Sequence, residues 1–228
     1  VNNNVFKNML QAINVKGLDP SIFSLTRFRN MEWVENGPVR KTLRVTADME
    51  GANEVVYEIN QYNGMDILHL AVVVDKKSVR DKESLHIAFP LALKDPEVKV
   101  GVGDSYVTPI RGSIPGSNKD FYSVQRWIDV SEDNSGVTIA CPQGALWEVG
   151  QLINEEKTLN GFKKWETTGS SSPNIFLYAM NNYWHTNYKA DQPGKVRFDF
   201  YLKFHGAFDL NKANAFGYDV TEPLKAVY

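Results

Sequence analysis

Apolar and polar residues alternate along most of the chain. The stretch VRFDFYLKF shows this pattern over its whole length, and its apolar positions are Val196, Phe198, Phe200, Leu202 and Phe204. Residues two apart on a strand point to the same side of a sheet, so the pattern predicts a half-buried strand. We expect Phe198, Phe200, Leu202 and Phe204 to face the interior of the protein.

Two other stretches repeat the alternation. TLRVTADME predicts a strand with Leu43, Val45, Ala47 and Met49 on its buried face. YSVQRWIDV predicts one with Tyr122, Val124, Arg126, Ile128 and Val130 on one face. Trp127 lies on the opposite face of the second strand, so we expect that face to be covered as well.

A hairpin is predicted in VVYEINQYNGMDILHLAVVV. Asn63 and Gly64 favour the tight turn that joins two antiparallel strands. The second strand is apolar on both faces, which is typical of a central position in a sheet. Shorter strands are expected in SLHIAFP, VKVGVG, GVTIAC and NIFLYAM. Roughly ten strands separated by turn residues predict an all-β fold, a large antiparallel sandwich of the mutarotase-like type.

Helix is predicted only near the start of the chain. An apolar stripe is formed by Val5, Phe6, Met9, Leu10 and Ile13, and Gly17 ends the pattern. We therefore divide the chain into residues 1–17, a short helix or a linker from a preceding region, and residues 18–228, the sandwich. The ends, VNNNVFKN and EPLKAVY, favour a piece excised from a longer protein over a mature processed chain.

Composition narrows the classes of function. Hydrophobic residues make up 43% and charged residues 23% of the 228 positions, as in an ordinary soluble globular protein. The formal net charge of -2 predicts neither nucleic acid nor a membrane surface as a partner. The chain is expected to be soluble, either periplasmic or cytoplasmic. Its single cysteine, Cys141, excludes an internal disulfide.

Local motifs for catalysis or metal binding are missing from the sequence. The four histidines are His69, His86, His185 and His205, and none has a second ligand at a spacing typical of zinc sites. We expect His69 and His86 to be core or interface residues and His205 to be structural. No nucleophile motif or phosphate loop occurs, so no catalytic residue and no metal ligand is predicted.

The segment NNYWHTNYKADQPG is the best candidate for a binding site. It combines aromatic rings with amide and carboxylate groups, the side chains with which proteins bind sugars. Alternatively, its rings plug one end of the sandwich while its amides cap strands. The candidate residues for sugar binding or a domain interface are Asn182, Trp184, His185, Asn187, Tyr188, Asp191 and Gln192.

This segment and the strand after it resemble the C-terminal β-region of glycoside hydrolase family 38, the α-mannosidases. The similarity rests on Asn182, Trp184, Thr186, Asn187, Gln192 and Gly194, followed by the alternating aromatic strand. NGPVRKTLRV and the segment from DFYSVQRW to WEVGQL are similar to other strands of that region. The resemblance implies a galactose-mutarotase-like sandwich. It also implies that zinc and the aspartate nucleophile belong to a catalytic domain outside this chain.

Three functions follow from the resemblance and the residues. The first is a non-catalytic domain that braces the catalytic domain of the same polypeptide and shapes the rim of its sugar site. In that case the loop from Asn182 to Gln192 is expected at one end of the sandwich, on the side that meets the catalytic domain. The second is an autonomous carbohydrate-binding module with oligosaccharide as its partner. The third is a mutarotase or epimerase, for which His185 with Asp191 is the local candidate pair.

Overall fold

The structure is a computed structural model that describes residues 24–80, 83–152, 158–159, 162–163, 165–181, 191–222 and 224. Two antiparallel sheets of unequal size pack face to face, which confirms the predicted all-β sandwich. The predicted helix at residues 1–17 lies outside the described residues. The division of the chain at residues 17 and 18 therefore stays a prediction.

The larger sheet has nine strands in the order β1-β2-β3-β4-β15-β10-β9-β6-β7. Their bounds are β1 Arg27–Asn36, β2 Arg40–Asp48, β3 Ala52–Tyr62, β4 Ile67–Lys76, β6 Glu97–Val102, β7 Ser105–Val107, β9 Ile128–Glu132, β10 Ser135–Ala140 and β15 Gly194–His205. The first four strands follow one another as a meander, and β15 enters beside β4. The predicted hairpin is therefore confirmed, and its apolar second strand, β4, lies inside the sheet.

The smaller sheet has four strands in the order β5-β14-β11-β8. Their bounds are β5 Ser84–Pro90, β8 Tyr122–Ser123, β11 Leu146–Val149 and β14 Asn174–Asn181. A separate pair is formed by β12 Thr158–Leu159 and β13 Phe162–Lys163. The strands predicted in SLHIAFP, VKVGVG, GVTIAC and NIFLYAM correspond to β5, β6, β10 and β14.

The core lies between the two sheets and is largely aliphatic, with aromatic rings at its centre. Phe200 and Trp147 are 0% and 1% exposed, and the ring of Phe89 packs 4.9 Å from that of Phe200. Phe198 and Leu202 also lie in this core, as predicted. Phe204 does not: its side chain is 57% exposed, although it is on the same face of β15. The prediction was wrong for Phe204 because alternation shows only on which face of the strand a side chain lies. Burial also requires a second layer of the protein that covers this face.

The stretch YSVQRWIDV is not one strand. Its ends are β8 in the smaller sheet and β9 in the larger sheet, and residues 124–127 cross between them. Backbone hydrogen bonds hold this crossing, from Val124 N to Ala145 O (2.7 Å) and from Gln125 N to Gly101 O (3.2 Å). Both sheets pack on one core, so apolar and polar residues continue to alternate through the crossing. The sequence pattern therefore gives no sign that two strands, and not one, are present.

One helix, α1, covers the outer side of the larger sheet at Trp127. It spans Leu210–Thr221, and the Asp209 side chain caps it by accepting hydrogen bonds from the backbone of Asn211 and Lys212. Trp127 is 1% exposed and donates from Nε1 to Asn214 Oδ1 (2.9 Å). The prediction that this face of Trp127 is covered is confirmed. The sequence signals for α1 were its Asp209 cap and the spacing of Ala213 and Phe216, which the strand-dominated pattern obscured.

Candidate functional site

The predicted binding loop connects the two sheets at one end of the sandwich. The strand before it, β14, belongs to the smaller sheet, and the strand after it, β15, belongs to the larger one. At this end Asn181 pairs with Ser84, and Gly194 pairs with Lys76. We call this region the crossover end, defined by residues 49–51, 76–80, 83–84, 181 and 191–194. Five of the predicted site residues lie outside the described residues: Asn182, Trp184, His185, Asn187 and Tyr188.

The two predicted site residues that the structure describes differ in their surroundings. Asp191 is 6% exposed, and its Oδ2 accepts a hydrogen bond from the Ser78 hydroxyl. Gln192, the next residue, is exposed. Ser78 belongs to the connection between β4 and β5, so Asp191 ties the binding loop to a second loop at the same end.

Lys76 links further backbone at the crossover end. Its ammonium donates to the carbonyl oxygen of Gly51 (3.0 Å) and forms an ion pair with Glu83. Gly51 has a φ of 75°, a conformation that favours glycine in the tight turn between β2 and β3. A shallow cleft opens between these groups and is lined by Lys76, Val79, Glu83, Leu85, Met180, Asn181 and Gln192. Its ammonium, carboxylate and amide groups can hydrogen-bond a polar ligand or a neighbouring protein surface.

Away from this end, each of the three described histidines contacts a carboxylate. The first pair lies on the outer face of the larger sheet, where His69 Nε2 is 2.7 Å from Asp199 Oδ1. The ring of His69 stacks on Tyr201 with 4.6 Å between centroids, and Asn60 Nδ2 lies 3.4 Å from its Nδ1. Arg197 donates to both oxygens of Asp199. Both nitrogens of the imidazole and both oxygens of the carboxylate are thus engaged within the sheet, as in a structural network.

Burial acts to raise the pKa of Asp199, but the hydrogen bonds from Arg197 and His69 outweigh it and lower the pKa below the usual range for aspartate. The stabilisation from Asp199 is therefore complete above the pKa of an unfolded aspartate, about 3.9. It is lost as the pH falls through the lower pKa of the folded state, because the unfolded chain binds more protons in that window.

We expect Asp199→Asn to flatten the dependence of stability on acid pH. The free energy of unfolding of the unchanged protein should rise with pH below about 4, and the variant should rise less steeply because one shifted carboxyl is gone. Urea unfolding at several pH values measures both slopes. Asp133→Asn is the matched control, since Asp133 is exposed in the turn after β9. Equal slopes for Asp199→Asn and the unchanged protein would contradict the lowered pKa of Asp199 in the folded state.

The second histidine lies on the outer face of the smaller sheet. His86 Nε2 is 2.9 Å from the hydroxyl of Ser84, and His86 Nδ1 is 2.8 Å from Oε2 of the fully buried Glu148. A hydroxyl, an imidazole and a carboxylate in this order also occur in serine hydrolases. Here the angle between His86 and Glu148 falls outside hydrogen-bond geometry despite the short distance. The two groups lie at the distance of an ion pair, but they are not aligned for proton transfer.

The third histidine belongs to a buried network beneath Phe208. Asp129 is 0% exposed and accepts hydrogen bonds from Ser131 (2.6 Å) and Thr138 (2.7 Å), with His205 Nε2 at 2.7 Å. Lys99 lies beside them, 3.2 Å from the Ser131 hydroxyl and 4.8 Å from the centre of the Phe208 ring. Both oxygens of Asp129 are engaged by side chains of β9, β10 and β15, and Lys99 of β6 donates to Ser131. The network therefore ties four strands together and is structural.

Sequence reasoning missed these pairs because their members are far apart in the chain. His69 and Asp199 are 130 positions apart, and Asp129 and His205 are 76 apart. Only strand pairing brings them together, and no local spacing signals it. Within the described part of the chain, no group of three or more potential ligands is placed to hold a metal ion. Nor does that part contain a helix long and apolar enough to cross a membrane.

The fold is similar to part of two solved glycosidases. An α-mannosidase from Enterococcus faecalis V583 superposes with a TM-score of 0.61 and 15% sequence identity, over 87% of this chain and 24% of that one. This chain has the fold of one portion of such an enzyme. A protein in glycosyl hydrolase family 38 from Enterococcus faecalis superposes with a TM-score of 0.60 at the same identity, over 87% of this chain and 25% of that one.

The chain therefore spans about a quarter of the length of both glycosidases. At 15% identity the likeness is one of fold. No protein-family model matches the sequence, and no curated protein matches it.

Proposed function

We propose that this chain is a non-catalytic β-sandwich domain from the C-terminal part of an α-mannosidase-like glycoside hydrolase. In this role it braces the catalytic domain of the same polypeptide and contributes to the rim of the sugar site. The observation that carries the proposal is the similarity of fold over 87% of the chain to a quarter of a mannosidase. The sequence similarity around Trp184 and along β15 supports the same assignment.

The surroundings of His69 and His205 support a non-catalytic role. His69 and His205 are each held by a carboxylate that is itself saturated by other donors. A general acid or base needs an atom that can reach the substrate, and here those atoms are used inside the sheets. We therefore place the zinc and the nucleophile of the parent enzyme in the catalytic domain outside this chain, and we assign no catalytic step to these residues.

The crossover end is our candidate for the surface that meets the catalytic domain. The residues that flank the loop with Trp184, namely Asn181 and Asp191, lie there, and the cleft at this end is lined in part by Lys76, Glu83 and Gln192. A loop longer than a plain hairpin turn that joins two sheets commonly serves a function. Direct binding of an oligosaccharide at this end is the alternative, because the cleft combines polar groups with a neighbouring aromatic segment.

The first test is enzymatic. We expect the isolated chain to hydrolyse no aryl α-mannoside, with or without added zinc, because the catalytic groups lie in another domain. Release of the chromogenic aryl alcohol measures this, and the full-length parent enzyme provides the positive control. Turnover that survives stringent purification and disappears with a point mutation in this chain would contradict the proposal.

The second test concerns the loop. We expect Trp184→Ala in the full-length enzyme to lower activity or stability, because its ring packs against the catalytic domain in this proposal. The isolated chain should show no mannoside binding in calorimetric titration, since one tryptophan flanked by amides offers little independent affinity. Millimolar or tighter binding by the isolated chain, lost on Trp184→Ala, would instead favour a carbohydrate-binding module.

A further inference from the structure

Two turns of the larger sheet contain the same dipeptide, asparagine followed by glycine. Asn36 is the last residue of β1, and Gly37 follows it in the turn to β2. Asn63 and Gly64 form the turn between β3 and β4. Both asparagines are exposed. Because the dipeptide is the same, a difference in its reactivity between the two turns reports the structure around them.

This dipeptide can rearrange without an enzyme. The backbone nitrogen of the glycine attacks the side-chain carbonyl carbon of the asparagine, a carbon–nitrogen bond forms, and ammonia leaves. The product is a cyclic imide, a succinimide. Water then opens the ring at one of its two carbonyl groups and gives aspartate or isoaspartate. Glycine favours the reaction because it has no β-carbon to obstruct the attack and its backbone rotates freely.

The backbone nitrogen of Gly64 is available for this attack. Among the described residues, no group accepts a hydrogen bond from its N–H. A β-carbon built on Gly64 would meet no atom within 4 Å, so the cyclic intermediate has room. The hydrogen bond that closes the turn, from Met65 N to Tyr62 O, is long at 3.3 Å. The turn can therefore open locally and reach the reacting geometry.

The backbone nitrogen of Gly37 is engaged. Its N–H donates to the carbonyl oxygen of Arg40 at 2.9 Å. A β-carbon built on Gly37 would lie 3.4 Å from the same oxygen, so this turn also leaves less room for a ring. Pro38 restricts the backbone directly after it. The nitrogen of Gly37 can attack only after its hydrogen bond to Arg40 has broken.

We propose that Asn63 is a site of spontaneous modification in the folded protein, where it becomes aspartate or isoaspartate, and that the fold protects Asn36. The reaction adds a carboxylate to the tip of the β3–β4 hairpin. This turn precedes Ile67 at the start of β4, whereas the crossover end lies at Lys76, nine residues or about 30 Å along the strand. The proposal therefore stands independently of the proposed mannosidase role.

Peptide mass mapping of the unchanged chain tests the proposal. The folded protein is kept at slightly alkaline pH, where the glycine nitrogen loses its proton more readily, and samples taken over time are digested with trypsin at slightly acidic pH. Asn36 lies in the tryptic peptide 30–40 and Asn63 in the peptide 45–76, so the two sites are measured separately. Fragment ions locate the converted residue within each peptide.

We expect Asn63 in the folded chain to react about five to ten times faster than Asn36, the factor that corresponds to the hydrogen bond on the Gly37 nitrogen. The difference should disappear when the chain is unfolded in guanidinium chloride, because water then solvates both glycine nitrogens. Equal rates in the folded chain, or a faster reaction at Asn36, would overturn the proposal. Reaction at Asn63 only in the unfolded chain would also overturn it, because the turn would then be closed to attack.

Two variants give a second measurement, by charge. Both carry Asn160→Gln, which removes the Asn-Gly pair at positions 160 and 161. Adding Asn63→Gln should slow the appearance of an acidic species on isoelectric focusing, because the longer side chain would have to close a larger ring. Adding Asn36→Gln is the matched control and should leave that rate unchanged. Equal rates for the two variants would overturn the proposal.

Discussion

Phe200→Ala should lower the free energy of unfolding by about 3–5 kcal/mol, the usual cost of removing a fully buried phenylalanine ring. Phe200 is 0% exposed and contacts aromatic rings from the opposite sheet, with 4.9 Å between its centroid and that of Phe89 and 6.3 Å to that of Trp147. Alanine would leave a cavity among rigid rings that cannot collapse to fill it. Chemical denaturation with urea, followed by circular dichroism, measures the loss.

The same strand provides the control. Phe204→Ala makes the identical chemical change on the same face of β15, but at a side chain that is 57% exposed. We expect it to change the free energy of unfolding by less than about 0.5 kcal/mol, as at an ordinary surface position. A loss below about 1 kcal/mol for Phe200→Ala, or equal losses for the two variants, would mean that the core does not lie where the structure has it.

Asp129→Ala should have an effect of similar size for an electrostatic reason. The carboxylate is 0% exposed and is the common acceptor for Ser131, Thr138 and His205. Its removal leaves two buried hydroxyl groups, those of Ser131 and Thr138, and the partly buried imidazole of His205 without their acceptor, next to the ammonium of Lys99. Breaking a buried ionic network from one side costs about 3–5 kcal/mol, because the remaining groups keep their desolvation penalty.

Two further variants should have smaller effects on the free energy of unfolding and serve for comparison. Thr138→Val keeps the shape of the side chain and removes one donor to Asp129, and it should cost about 1–2 kcal/mol. Asp133→Ala changes the same residue type at an exposed site four positions away and should be nearly neutral. Thermal and urea unfolding of the three variants measure the order of their losses in free energy of unfolding. A neutral result for Asp129→Ala would show that the network around His205 adds nothing to stability.

The order of the strands shows what sequence patterns can and cannot predict. Alternation identified β2 and β15 together with the faces that bury Val45, Ala47, Phe198 and Phe200, because a side-chain period of two is a local property of an extended backbone. The turn at Asn63 and Gly64 identified β3 and β4. The same pattern passed without interruption from β8 to β9, although these strands lie in different sheets. Alternation reports which side faces the core, and both sheets face the same core.

The sequence by itself determined the class of fold, the hairpin at Gly64, the central position of β4 and the position of the candidate loop between two strands. Each of these depends on neighbours in the chain, so a single sequence carries the signal. Only the tertiary structure decided that the loop crosses between sheets, that Asp191 is anchored by Ser78, and that each described histidine meets a carboxylate. It alone also decided that Phe204 and Trp33 stay exposed. The physical reason is that burial and ion pairing depend on what lies across the sandwich, and the widths of the two sheets are set by pairing between strands that are distant in sequence.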